Sequence, residues 1–186
     1  MPAIMFAADA MEKALFSSLI KSGAISECFA PFTDIVSEIK VTSYLNFRAF
    51  HPKGVWLHGL PDVVGERFDD TLCILDHKTA FYKGDGDPLM PQYRFQCLGY
   101  CWIAEQLYKR AASGAALIYW EAAKISVVEK PQKHWKDGQL NVPFSPKVHE
   151  FDIDLASLDP LIEEFIKIVQ SSTPPEGEDK SVDCAA

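Results

Sequence analysis

Between Ala8 and Ser22 the apolar side chains of "ADAMEKALFSSLIKSG" recur every three to four positions, and the run stops at Gly23. That period predicts a first helix closed by the glycine. From Asp34 to Phe47, "DIVSEIKVTSYLNF" alternates and is rich in β-branched and aromatic residues, which predicts a strand. Two more β-rich runs, "WLHGLPDVV" (56–64) and "TLCILDHKTAF" (71–81), flank "GERFDD" and predict an antiparallel hairpin. The loop "YKGDGDPLM" then leads through Pro91 into "QYRFQCLGYCWIAEQLYKRAA", the longest helical pattern in the chain.

Beyond Gly114, "AALIYWEAA" predicts a strand, and "KISVVEKPQKHWKDGQLNV" a further hairpin turning at Asp137-Gly138. Asp159 ahead of Pro160 predicts the N-cap of a last helix, "PLIEEFIKIVQ". Helix, three strands, helix, strands and a closing helix make an α/β domain over residues 1–171, a mixed central sheet flanked by helices. Residues 172–186 are polar, acidic and Pro-containing, and are expected to form a flexible tail.

The chain has 186 residues, 48% of them apolar and 24% charged, enough to bury a core of its own. It has no apolar run of the roughly 20 residues that a membrane helix needs and no basic-then-apolar leader, so a cytoplasmic protein is expected. Five cysteines without paired spacing predict reduced thiols, and Cys97 and Cys101, four apart on a helix, are read as core thiols rather than half a metal site. The net charge of −8 resides in residues 150–186, with ten acidic and two basic side chains. The remainder is balanced, so the overall sign does not exclude a nucleic-acid partner.

Chemistry concentrates in the hairpin. Positions paired across a turn centred near Asp69 sum to about 138, which sets Asp62 opposite Asp76 at roughly 5 Å between Cβ atoms. Two carboxylates so placed repel, and a hard divalent cation such as Mg²⁺ would offset the repulsion. Residues two apart on a strand share a face, so Lys78 belongs beside Asp76, where its ammonium can orient a water or stabilise charge on a phosphate. His77 points the other way and offers only its backbone carbonyl. Pro61 marks an edge or bulge that re-aims Asp62.

The plainer alternatives are a salt-bridged surface hairpin for Asp62, Asp76 and Lys78, and a helix resting a tyrosine on the sheet for Gln96 and Tyr100. Asp85 and Asp87 in "GDGDP" lack the glutamate of a calcium loop and read as a solvated turn. Lys130, Lys133 and Lys136 around His134 and Trp135 form a basic patch fit either for a nucleic-acid strand or for a solvated hairpin tip. Arg94 is placed near the site as a phosphate contact or a helix-surface charge. The four tryptophans are assigned to the core. No Walker loop, H-E-x-x-H or G-x-S-x-G is present, so nucleotide hydrolysis, zinc proteolysis and serine-hydrolase chemistry find no support.

"GLPD", then "DHK" fourteen residues later, then "QCLGY" on the following helix resemble the motifs of the PD-(D/E)XK nuclease superfamily, in particular its RecB-like exonuclease branch. The resemblance implies a restriction-endonuclease-like core of helix, three strands, helix and strand. It implies that Asp62 and Asp76, with the His77 carbonyl, hold Mg²⁺ (or Mn²⁺), that Lys78 assists the attacking water, and that Gln96 and Tyr100 line the site. The implied activity is a Mg²⁺-dependent deoxyribonuclease, an exonuclease in first place, acting on DNA in repair, recombination or phage replication, as a homo-oligomer or within a larger complex. The alternative is a catalytically inactive DNA- or protein-binding module of the same fold. Members often carry a histidine or glutamate ahead of the first aspartate; here Glu12 and Glu38 are available, and Glu38, on a strand beside the hairpin, is preferred. Only Cys184 lies near the C-terminal end, so no iron–sulfur cluster is expected.

Overall fold

The computed structural model describes residues 3–84, 86–122 and 131–171. Helix α1 (Ala3–Ser22) ends with Gly23 N–H bonded to the Ile20 carbonyl and Ala24 N–H to that of Leu19, the paired bonds of a Schellman closure. Strands β1 (Ile35–Ile39), β4 (Val63–Arg67), β5 (Leu72–Lys78), β6 (Ala112–Ala122) and β9 (Phe144–Phe151) form one sheet in the order β1-β4-β5-β6-β9. The β5–β6 pairing is parallel and the others antiparallel, so the sheet is mixed, as expected. Parallel neighbours need a crossover, and α2 (Met90–Tyr108) supplies it.

β5 is central and buried along nearly its whole length. Its alternation divides the core. Cys73 and Leu75 meet Phe16 and Ile20 of α1 with Val63, Ile118 and Trp120, whereas Leu72 and Ile74 meet Cys97, Cys101 and Ala104 of α2 with Val64, Leu117 and Tyr119. Helix α3 (Leu158–Gln170) seats Leu158 and Ile162 against Leu98 of α2.

The predicted hairpin register holds. Val63 faces Leu75, Val64 faces Ile74 and Gly65 faces Cys73, each pair summing to 138, around a turn where Asp69 Oδ1 accepts the Thr71 N–H at 3.0 Å. The run 56–64 is not one strand, however. β3 (Val55–His58) turns back on β2 (Arg48–His51) to form a separate two-stranded ribbon, and the chain crosses to the main sheet through Gly59–Asp62. Pro61 has no N–H for a ladder, which breaks the run there. The expected strand 34–47 likewise stops at Ile39, and Ser43 organises the following turn through its carbonyl and hydroxyl.

Four further expectations are corrected. The strand β9 was not foreseen; Pro146 within it is tolerated because β9 lies at a sheet edge. Asp159 does not cap the last helix, which starts one residue earlier; it lies in the first turn, 3.3 Å from His51 Nε2. Asp87 is buried and accepts the Leu89 N–H at 3.0 Å, fastening the entry to α2, while Asp85 lies outside the described residues. Trp120 is buried, but Trp56 and Trp135 are more than half exposed.

The hairpin at Asp137-Gly138 is present as β7 (Trp135–Lys136) and β8 (Gln139–Leu140), with both turn residues at positive φ as a type I′ turn requires. Residues 123–130, including Lys130, and Cys184 lie outside the described residues. Among the described residues no helix is long and apolar enough to cross a membrane.

Candidate metal and phosphodiester site

The β4–β5 ladder ends at Val63 opposite Leu75, and its register extended by one residue sets Asp62 opposite Asp76. Asp62 Oδ2 accepts the backbone N–H of His77 at 2.8 Å, so the two strand ends are tied at this point. Its Oδ1 pairs with Lys13 Nζ of α1 at 2.8 Å, and Lys13 also reaches Asp9 at 2.9 Å. Burial alone would lower the Lys13 pKa, but its hydrogen bonds and charge contacts with Asp62 and Asp9 prevail and raise it. Lys13 was not foreseen, because its pairing depends on which face of α1 meets the sheet.

Asp76 is 4% exposed and forms an ion pair with Lys78 on its own strand face. Burial raises the Asp76 pKa, the neighbouring Lys78 ammonium opposes that, and the charge of Asp62 adds to the rise. Lys78 is less deeply buried, so attraction to Asp76 outweighs its own desolvation and its pKa rises. Its ammonium lies 4.6 Å from the centroid of the Tyr93 ring, a cation–π contact from the first turns of α2.

His77 turns the opposite way, as expected. Its ring packs edge-on against Phe16 and stacks on Trp120, whose Nε1–H donates to His77 Nδ1 at 2.8 Å. Burial pushes its pKa down to about 4, so the imidazole is neutral and takes no part as a cation. The ring is therefore core, and only the backbone of His77 belongs to the site.

Gln96 Nε2–H donates to Tyr100 Oη at 2.9 Å, placing both on one face of α2 together with Tyr93. Tyr100 lies over Gly59, where a Cβ would fall 2.0 Å from its Cε1. The glycine of "GLPD" is thus a close-approach residue, and Tyr100 clamps the segment that delivers Asp62. Tyr93 could have been found by extending the Gln96–Tyr100 face back by one turn. Arg94 is exposed, off that face.

The geometry favours Glu12 over Glu38. Glu38 does lie on the strand next to β4, and it shares a groove with Asp62, Lys13 and Lys40, but its Oε2 is taken by the Ser17 hydroxyl at 2.7 Å. Glu12 is 5% exposed and accepts the Thr79 hydroxyl at 2.9 Å, one residue past Lys78. Burial raises its pKa, the Thr79 hydrogen bond opposes this, and the charges of Asp9 and Asp62 contribute.

Among the described residues no three His, Cys, Asp or Glu side chains converge closely enough to grip an ion as they stand. Yet Glu12 Oε1 is buried without a hydrogen-bond donor, whereas Asp76 Oδ2 has the Lys78 ammonium as its partner. Buried carboxylate oxygens without donors are costly, and a hard cation is the ligand that satisfies them. Carboxylates such as those of Asp62, Asp76 and Glu12 are the donor type that Mg²⁺ and Mn²⁺ prefer. Cys97 lies beneath, with its thiol pKa pushed well up by burial and by the Asp76 charge, so it is a core thiol. No family model matches this chain, and no similar protein is found among the curated ones.

Proposed function

We propose that the chain is a metal-dependent deoxyribonuclease of PD-(D/E)XK type, RecB-like, in which the Asp62–Asp76 edge hydrolyses phosphodiester bonds. The observation that carries the reading is the buried Asp76 carboxylate paired with Lys78 at the strand end where Asp62 is tied in, with Glu12 Oε1 of α1 buried and without a donor. The core order supports it too. With the β2–β3 ribbon taken as an insertion, α1, β1, β4, β5, α2 and β6 follow the helix, three strands, helix, strand succession that the resemblance implies.

Asp62, Asp76 and Glu12, with the His77 carbonyl, would hold the cation, which when bound supplies Lewis acidity toward water and phosphate oxygen. Lys78, steadied by Asp76 and by the Tyr93 ring, presents Nζ–H to the attacking water or to charge growing on the phosphate. Gln96 and Tyr100 hold the Gly59–Asp62 segment against α2 and so fix where Asp62 stands. Partial burial of these groups strengthens their fields on the substrate. By resemblance, the product keeps its phosphate on the 5′ side.

A second reading, a catalytically silent DNA- or protein-binding module, is favoured by one observation: ammonium groups already hold both aspartates, Lys13 on Asp62 and Lys78 on Asp76. Calorimetric titration with Mg²⁺ or Mn²⁺ separates the two. The nuclease reading expects binding in the native chain and its loss in Asp76→Ala, with fold retained by circular dichroism. Heats that are identical in native and variant chains, or zero in both, overturn it in favour of the silent module.

A further inference from the structure

The β2–β3 ribbon presents two unlike faces. Ala49, His51, Val55 and Leu57 turn inward, and Leu57 packs on the α2 core. The outer face carries Arg48 opposite His58 and Phe50 opposite Trp56, with Phe50 and Trp56 each 56% exposed. Their rings meet edge to face at 5.4 Å, and the Arg48 guanidinium lies 5.0 Å from the centroid of the Trp56 ring. Tyr44, 54% exposed, extends the row by packing on His58 at 5.6 Å. Exposing two large aromatics, a stacked guanidinium and a tyrosine side by side costs apolar surface, and the inner face shows that the ribbon needs none of them for its own packing.

Charge narrows the occupant. In a chain of net charge −8, the sequence from Ile39 to Pro61 holds no aspartate or glutamate; Lys53 is paired with Glu163 of α3 and Lys40 lies by Glu38, so Arg48 is the cation of the outer face. A flat aromatic row with a cation and without carboxylates suits a polyanion that also offers π-faces, which is single-stranded nucleic acid. Duplex DNA hides its base faces and would find only the charge. The row is also continuous with the site. β3 runs through Gly59–Asp62 into the Asp62–Asp76 edge, at most about 14 Å of chain from His58 to Asp62. Tyr100 over Gly59 joins ribbon and site firmly to α2.

Resting on the nuclease reading, we propose that the outer face of the ribbon is a stacking platform for single-stranded DNA. Bases lie on Tyr44, Phe50 and Trp56, Arg48 meets the backbone, and the strand is led toward the carboxylates.

The test is fluorescence anisotropy of a labelled oligothymidine of about 15 nucleotides, matching the site size of such platforms, in EDTA so that no cleavage intervenes. Native chain, Phe50→Ala/Trp56→Ala, Trp56→Phe and Phe68→Ala are compared, with a duplex of equal length as control. The platform variant is expected to bind the single strand roughly 5- to 150-fold more weakly for each base stack lost. Trp56→Phe and Phe68→Ala, the latter at an exposed aromatic away from ribbon and site, should bind within a few-fold of native, and the duplex should bind more weakly than the single strand. Equal affinity of native chain and platform variant, with both folded, overturns the proposal. So does a native dimer, seen by sedimentation, that the platform variant abolishes while oligothymidine is not bound; that result assigns the face to a second copy. Because the assay needs neither metal nor turnover, a native chain that binds through the platform but never cleaves sinks only the nuclease reading.

Discussion

Replacing Gly59 by alanine tests directly how the site is assembled. The new Cβ would fall 2.0 Å from Cε1, 2.9 Å from Cδ1 and 3.0 Å from Cζ of Tyr100. Real contacts of that kind are about 3.5 Å or longer, so Tyr100 or the strap must move by more than 1 Å. The ring cannot simply swing away without loss, since it packs edge-on to Phe47 at 6.0 Å and accepts a hydrogen bond from Gln96 at 2.9 Å. Overpacking of this sort costs about 1–3 kcal/mol. For a domain of this size that lowers Tm by roughly 2–12 °C. The diagnostic result is coupling: in a cycle of Gly59→Ala, Tyr100→Ala and the double variant, measured by urea unfolding, the second substitution should relieve the first by at least about 1 kcal/mol. Additive costs within about 0.3 kcal/mol would refute the clamp. Gly59→Ala should also weaken metal binding, because the clamp sets the position of Asp62.

Three further outcomes are expected. Since burial holds the His77 pKa near 4 against 6.5 when unfolded, the folded state binds fewer protons between those values. Stability is therefore lost as pH falls through that window, by about 3 kcal/mol in all. His77→Asn should show a shallower decline of urea midpoint from pH 7 to 4, and an unchanged slope would contradict the assignment. Glu12→Gln should stabilise the metal-free chain at pH 7, because burial raises the Glu12 pKa and its ionised form opposes folding above the unfolded value; the same variant should bind Mn²⁺ more weakly by calorimetry. Alkylation mapped by peptide mass should label Cys28 in the folded chain but Cys73, Cys97 and Cys101 only in urea, since those three are buried with raised thiol pKa values, Cys73 at about 12.

How much of this was legible in the sequence depends on how local the determining physics is. The β4–β5 register could be read because a short turn fixes it arithmetically, and Asp69 secures that turn through its own side chain. The pairing of Lys78 with Asp76 followed from strand alternation alone. The β2–β3 ribbon went unread although His51 to Gly54, "HPKG", is a turn signal, because the uninterrupted β-propensity of "WLHGLPDVV" masked the crossing at Pro61. β9 was hidden by Pro146, which only an edge position permits. Glu12 and Lys13 could not be ranked, since α1 is apolar around much of its circumference and its sequence does not reveal which turn faces Asp62. Trp56 and Trp135 departed from the burial rule for tryptophan, and Trp56 did so on the face proposed to bind DNA.

Cleavage of end-labelled linear DNA, single- and double-stranded, reads out whether the Asp62–Asp76 edge is the proposed metal-dependent nuclease site. Native chain, Asp76→Ala and Lys78→Ala are incubated side by side with Mg²⁺, Mn²⁺ or EDTA. The expected result is metal-dependent loss of label from the native chain and none from either variant. A folded native chain that binds DNA yet releases no label under any condition would contradict it, as would cleavage that survives Asp76→Ala.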